Sequence, residues 1–305
     1  MTLCNLTLGT KVQDFQMVIA IPTFILGFLA NSAVLVLFCR QWRNCSDMMV
    51  YLANIVLADS TALVSLPFRM YSYRKSWPFS RGSCQVLIST YFVNTYVSIF
   101  TTMAISVVRF VAIKFPFKAR AVMSPLKALM VCVLTWVVPC SLSAVFHDVA
   151  ANSTMRCFQK DSDRPLPLSF ILVLDVVGFL LPLIVMTFCS VNVIRTLVKK
   201  DMSKNHPERK QSVRIIAANL AVFIVCFSPV HFGYMLKFLS ETYWSHDCGR
   251  LQFAHSFVHV ASSLASTNCF LDSFSYYFLA TSSWGTLREA CCGTQQRERQ
   301  HSTVI

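Results

Sequence analysis

Ionisable side chains stand inside long apolar stretches of this sequence: Asp59 in NIVLAD, Arg69 in SLPFRM, Arg109 in SVVRFVAIKFP, Asp175 in VLDVVGF and Asp272 in NCFLDSFSYY. A charge in hydrocarbon costs about 3 kcal/mol, so each needs a partner, a ligand or a route to water. Asp59 and Asp272 are accompanied by Asn31, Asn54, Asn94, Ser98 and Asn268, each near the middle or inner half of its own stretch. Two carboxylates in one polar centre invite a cation or a shared proton. A hydrogen-bonded packing network is the other reading.

Arg69 stands ten residues after Asp59, ~15 Å along a helix and too far to pair with it. It is expected to receive an anion. Tyr91, Phe92, His231, Tyr234, His259 and Ser262 fall at similar depth, and Arg74, Lys75, Arg81, Arg156, Lys160 and Arg164 surround the mouth. Basic residues over aromatic walls suit an amphiphilic anion: a lysophospholipid, or else a small organic acid. A structural salt bridge from Arg69 to Asp175 is the alternative. His255 and His259 have a zinc-binding spacing, but no third ligand is evident and zinc is not expected there.

The elements that position these groups follow from composition. Of 305 residues 55% are hydrophobic and 13% charged, about half the charge of a soluble domain; mean hydropathy is +0.54. Apolar runs cover roughly residues 16–39, 48–72, 84–114, 126–147, 167–198, 213–239 and 251–280. Each reaches the ~20 residues that cross a ~30 Å core as a helix, and the alternating strands of a barrel are absent. The expected fold is all-α: a seven-transmembrane helix bundle over 16–280, after an extracellular tail, 1–15. Residues 281–305 form a short amphipathic eighth helix on the inner face and a cytoplasmic tail.

The N-terminus lacks the basic start and apolar run of a cleavable signal, so the first span is expected to insert the chain. Sequons at Asn5 and Asn152 place the N-terminus and the loop after span four outside, if used; Asn44 would fall inside. Most of the 27 Lys and Arg lie in the segments this topology puts in the cytoplasm: Arg40, Arg43, Arg109 to Lys127, Arg195 to Arg214, Arg288, Arg297 and Arg299. The positive-inside bias agrees. The net charge of +13 then reads as a basic face on anionic membrane lipid, not as a nucleic-acid surface.

Cysteines divide by compartment. Cys84 and Cys157 face the oxidising side and are expected to pair, with Cys4 and Cys248 a second candidate pair; sequence does not settle the connectivity. Cys39, Cys132, Cys140, Cys189, Cys226 and Cys269 read as packing residues. Cys291 and Cys292 sit where S-palmitoylation occurs. The terminal HSTVI, with Thr303 before the Ile305 carboxylate, resembles a PDZ-domain ligand. No Ser-His-Asp order, nucleotide loop or retinal-binding lysine is legible, so no enzyme is expected. An ion- or proton-coupled transporter lacks the internal repeats it would need.

GFLAN, NIVLAD, the Cys84-to-Arg109 interval, Trp136, FLLP at 179–182, CFSP at 226–229 and LDSFSYY at 271–277 occur in order. In this the chain resembles a rhodopsin-like (class A) G-protein-coupled receptor from about residue 16 to 292. Local words such as SLPFRM, VGFLLP and NCFLDSFSYYF resemble a receptor for lysophosphatidylinositol. CQVLISTYF and FKARAVMSPLKA share features with a kynurenate-responsive relative. The resemblance implies a plasma-membrane receptor that activates a heterotrimeric G protein, with Arg109, Phe110, Pro116 and Tyr276 serving coupling. Sodium is the cation expected at Asp59, Asn94, Ser98, Asn268 and Asp272 in the inactive state.

Two positions depart from the family. Val108 stands where an acid usually precedes Arg109, and Asp272-Ser273-Phe274-Ser275-Tyr276 replaces Asn-Pro-x-x-Tyr. The first removes a restraint, since Glu208, amid Arg209, Lys210 and Arg214, is the only acid near the start of span six. Raised ligand-free activity is expected. Alternatively, Arg109 snorkels to lipid phosphates.

Overall fold

The computed structural model describes residues 4, 6, 8–41, 47–75, 77–150, 157, 167–201 and 207–273. Apolar stretches satisfy their backbone groups internally, and they fold as helices: α1 (Thr10–Gln41), α2 (Asp47–Arg74), α3 (Arg81–Lys114), α4 (Pro116–Val122), α5 (Pro125–Ala150), α6 (Leu168–Leu172), a π-helical stretch (Val173–Leu180), α7 (Leu181–Asp201), α8 (Pro207–Tyr243) and α9 (Cys248–Ser266). Six segments among the described residues are long and apolar enough to cross a membrane. The expected seventh is α9, which is not among the six, although it packs between α8 and α1. Its histidines, serines and Gln252 dilute the apolar run. The expected eighth helix, with Tyr276, Cys291, Cys292 and the terminal motif, lies outside the described residues, as do Asn5 and Asn152.

Pairwise packing closes a ring. α1 packs on α2 and α9, α9 on α8, α8 on α7, while α3 stands inside against α2, α5, α7 and the π-helical stretch. One core cluster joins Tyr96, Ile99, Leu174, Phe179, Phe223 and Phe227, around α3, the π stretch and α8. A second joins Val34, Tyr51, Ile55, Ile105 and Cys132, around α1, α2, α3 and α5. Cys39 and Cys140 are exposed, so they do not pack inside the bundle as expected; Cys132, Cys189, Cys226 and Cys269 are buried.

Local chemistry explains the element boundaries. Ser80 caps α3 by accepting from the Ser83 amide at 3.3 Å. Asp247 caps α9 by accepting from the Gly249 and Arg250 amides, the usual use of a short acidic side chain at a helix start. Pro116 starts α4, where a missing N–H leaves nothing unsatisfied. Span five is not the single α-helix its uniform hydropathy predicts. The π-helical stretch interrupts it, and Gly178 there meets Tyr96 so closely that a Cβ would lie 2.5 Å from the ring.

One end of the bundle is stapled. Disulfides join Cys84 to Cys157 and Cys4 to Cys248, with Cα separations of 5.6 and 5.5 Å. Arg74 at the end of α2 pairs with Asp14 of α1 there, and Gln16 of α1 approaches His259 of α9.

Candidate functional site

Asp272 lies on the helical turn that comes after α9, over 268–273. Its carboxylate accepts from the Ser98 hydroxyl at 3.0 Å and the Asn268 amide at 2.7 Å, and Asn268 also donates to Ser98 at 2.8 Å. These three close a triangle between α3 and the last turn. Asp59 of α2 is fully buried, and neither of its carboxylate oxygens has a hydrogen-bond partner. Asn94 and Asp272 are its polar neighbours, but Asn94 makes no well-formed bond to it. Two buried carboxylates with free lone pairs and hydroxyl and amide oxygens nearby fit a hard cation.

The rest of the expected polar centre divides. Asn31 donates to the Gly27 and Cys269 carbonyls, tying α1 to the turn after α9. Asn54 belongs to a separate network: it donates to Thr101 and Thr135 and accepts from the Trp136 indole at 2.8 Å, joining α2, α3 and α5. It does not reach the carboxylates by these bonds.

Arg69, 4% exposed, lines a narrow cleft of ≈ 430 Å³, its open mouth included. Its guanidinium donates to the Ser266 hydroxyl at 3.1 Å and lies over the Tyr91 ring, 4.1 Å from the centroid. The Tyr91 hydroxyl donates to the Ser262 carbonyl, so α9 fixes the ring on which the cation rests. Ser65, Thr95 and Ser266 add hydroxyls to the wall, and Asn94, Ser98 and Asn268 form its floor. The cleft therefore runs from the arginine to the polar centre. Ser266 and Thr95 escaped the sequence reading because a serine or threonine in a span is most often bonded to its own helix, as these also are.

The other residues expected at this depth are not gathered into the cleft. Phe92, His231, Tyr234 and His259 do not line it, and Ser262 contributes its carbonyl to Tyr91. His231 is 3% exposed, holds the Asp175 carboxylate at 2.9 Å and stacks on Phe179. Asp175 is thus the partner of His231, and the alternative salt bridge to Arg69 is not formed. Phe92 packs on Tyr96 and Phe170, and Tyr234 meets His231 edge-on. His255 and His259 turn to different partners, Glu241 and Gln16. No cluster of three metal-ligating side chains occurs among the described residues.

At the end opposite the disulfides, Arg109 lines a cavity of ≈ 270 Å³ with Ser106, Ser190, Val193, Ile216, Asn219 and Leu220. Val108, at the preceding position, packs against the cluster of Tyr51, Leu52 and Ile105. Phe110 contacts the Phe115 and Phe188 rings, and Pro116 opens α4 beside it.

The structure is a bundle of membrane-length helices with a stapled end, a cleft holding a buried arginine and a polar centre below it. Residues 30–276 match the 7 transmembrane receptor (rhodopsin family), and the chain belongs to that family. It is 32% identical to human G-protein coupled receptor 55 over 274 residues, 88% of this chain and 86% of that receptor. Mouse G-protein coupled receptor 35 is 29% identical, across 100% of this chain and 98% of its own length. Human lysophosphatidic acid receptor 4 is 33% identical over 264 residues, 84% and 71% of the two chains. The chain is a multi-pass plasma-membrane receptor and not an enzyme.

Proposed function

We propose that this receptor binds an extracellular anionic, lysophospholipid-like ligand and activates a heterotrimeric G protein. The carrying observation is Arg69, a buried guanidinium at the wall of an open cleft. A charge held in that position at the cost of its hydration recognises a phosphate or carboxylate. The name of the lysophosphatidic acid receptor supports a lipid anion; the narrowness of the cleft keeps a small organic acid as the second reading. The disulfide end is extracellular in this reading, and the Arg109 cavity faces the G protein. The seven-helix domain spans 16–280, with Asn5 and Asn152 glycosylated, Cys291 and Cys292 palmitoylated, and the C-terminus open to a PDZ-domain protein.

Asp59, Asn94, Ser98, Asn268 and Asp272 hold sodium in the inactive state. The orphaned oxygens of Asp59 support this assignment. An ion favouring one state opposes a ligand favouring the other.

The test is a panel of anionic lysolipids and small organic acids, scored for guanine-nucleotide exchange in cells lacking other receptors. Exchange driven by lysolipids supports the reading; exchange driven by organic acids alone selects the second. No exchange, with ion flux in proteoliposomes instead, favours a transporter.

A further inference from the structure

The loop that joins α8 to α9 gathers charged and aromatic side chains that neither the Arg69 cleft nor the Arg109 cavity uses. A turn closes it, the Asp247 amide donating to the Trp244 carbonyl at 2.9 Å, and this brings Trp244 beside the first turn of α9. The Arg250 guanidinium carbon lies 5.0 Å from the centroid of the Trp244 ring, and its Nε meets the Asp247 carboxylate at 3.0 Å. Trp244, its neighbour Tyr243, Arg250 and Asp247 are all exposed. Inward from Arg250, Phe253 and Phe257 continue the same face of α9 at i+3 and i+7. Phe253 is 63% exposed and meets Phe257, which in turn meets the exposed Phe232 of α8 edge-on. Gly233 lets the two helices close up here, since a Cβ would stand 3.2 Å from Phe257 and Val258. The face thus crosses both helices without a break, an ion pair with aromatic rings at the loop and phenyl rings ~5 and ~10 Å further along the helix.

We propose that this face of α8 and α9 is a binding site for a membrane lipid with a phosphocholine headgroup. Charge complementarity selects the occupant. Arg250 and Asp247 form a pair without net charge, so the site does not favour an anionic headgroup, and a zwitterion matches it end for end. The guanidinium N–H groups beyond Nε donate to the phosphate. The quaternary ammonium has no N–H to give, so its charge settles on an aromatic face, for which an indole is best suited. Trp244 supplies that indole, with the Tyr243 ring next to it and the Asp247 carboxylate adding negative charge. An acyl chain then follows Phe253, Phe257 and Phe232. Tryptophan at the headgroup level and phenyl rings in the hydrocarbon are the depths at which these side chains settle in a bilayer. The lipid lies across α8 and α9 at the end that the Cys4–Cys248 disulfide ties down. That it belongs to the outer leaflet rests on the reading that the disulfide end is extracellular; the headgroup chemistry does not.

The experiment takes the full-length receptor in detergent micelles and adds dioleoyl phosphatidylcholine, phosphatidylethanolamine or phosphatidylglycerol in turn. Native mass spectrometry counts the lipid that stays bound. Phosphatidylcholine should be held about tenfold more tightly than phosphatidylethanolamine, whose ammonium keeps its water, the effect of one desolvated cation on an aromatic face. It should also be held more tightly than phosphatidylglycerol. Trp244→Leu should bring phosphatidylcholine down to the level of phosphatidylethanolamine. Arg250→Gln should weaken both alike, because they share the phosphate. Both side chains are exposed, and Asp247, which caps α9, is left in place, so neither variant disturbs the fold. Tighter retention of phosphatidylglycerol, a choline preference that survives Trp244→Leu, or a wild type that holds no lipid overturns the site. A receptor dimer in place of bound lipid overturns it in favour of a second copy on this face. None of these readouts involves a G protein, so failure of the lysolipid panel and failure of this site are told apart.

Discussion

The guanidinium carbon of Arg69 lies 4.1 Å from the centroid of the Tyr91 ring, and α9 holds that ring through the Tyr91 hydroxyl on the Ser262 carbonyl. A cation on an aromatic face gains about 1–2 kcal/mol when desolvated. The pair thus offsets part of the cost of burying the arginine and leaves it able to meet an anion entering the cleft.

Arg69→Ala should weaken activation by anionic agonists by about 2–4 kcal/mol, counting the ligand charge left unpaired. Arg69→Lys should recover only part, because an ammonium cannot reproduce bidentate geometry. Tyr91→Leu should shift potency in the same direction by less. Dose–response curves at matched surface expression check this, and wild-type potency in all three would make Arg69 structural.

Sodium should reduce agonist affinity relative to a matched organic cation. Asp272→Asn should abolish that sensitivity, since it removes one of two carboxylates while keeping an acceptor for Ser98 and Asn268. Radioligand competition across a sodium series is the measurement. Indifference of the wild type to sodium would count against the assignment.

His231→Leu should destabilise the receptor by about 3–5 kcal/mol, because it leaves the buried Asp175 carboxylate without its partner. Asp175→Asn combined with His231→Leu should restore part of the loss. Melting of detergent-solubilised receptor separates these. A single variant as stable as wild type would show that the pair contributes nothing to stability.

Gly178→Ala places a Cβ 2.5 Å from the buried Tyr96 ring, and it should cost about 1–3 kcal/mol, as overpacking of a filled core does. Tyr96→Leu in the same chain should relieve much of the clash. Additive losses in the double variant would argue that the close approach is not the cause.

Val108→Asp should lower ligand-free signalling by giving Arg109 an adjacent carboxylate. The native valine packs against Tyr51, Leu52 and Ile105, so expression will fall too, and signalling is read per receptor at the surface. Val108→Asn serves as the polar control without the charge. Unchanged signalling in Val108→Asp would mean that position 108 exerts no restraint.

Much of this protein was readable along the chain. Runs of apolar residues long enough to cross hydrocarbon can satisfy their backbones only as helices, so the bundle follows from hydropathy. Polar side chains inside those runs are costly without partners, which is why Asp59, Ser98, Asn268 and Asp272 announced a common centre and Arg69 a cleft. Cysteine position relative to the membrane likewise marked Cys4, Cys84, Cys157 and Cys248 as the ones to pair.

Partner choice was decided only in three dimensions. Depth says which groups share a level, but each residue along a helix turns ~100° about its axis, so a group's direction depends on how the whole helix is rotated. Asp175 stood at a suitable level for Arg69, yet α3 packs between α2 and the π-helical stretch, and Asp175 turns to His231. Asn54 had the depth of the carboxylates but faces Trp136 and Thr101. The π-helical turn at Val173–Leu180 changes the rotation of α7 relative to α6, and a uniformly apolar run carries no mark of such a shift. Hydropathy and spacing are properties of one dimension, whereas the rotation and contact of helices arise from packing all of them at once.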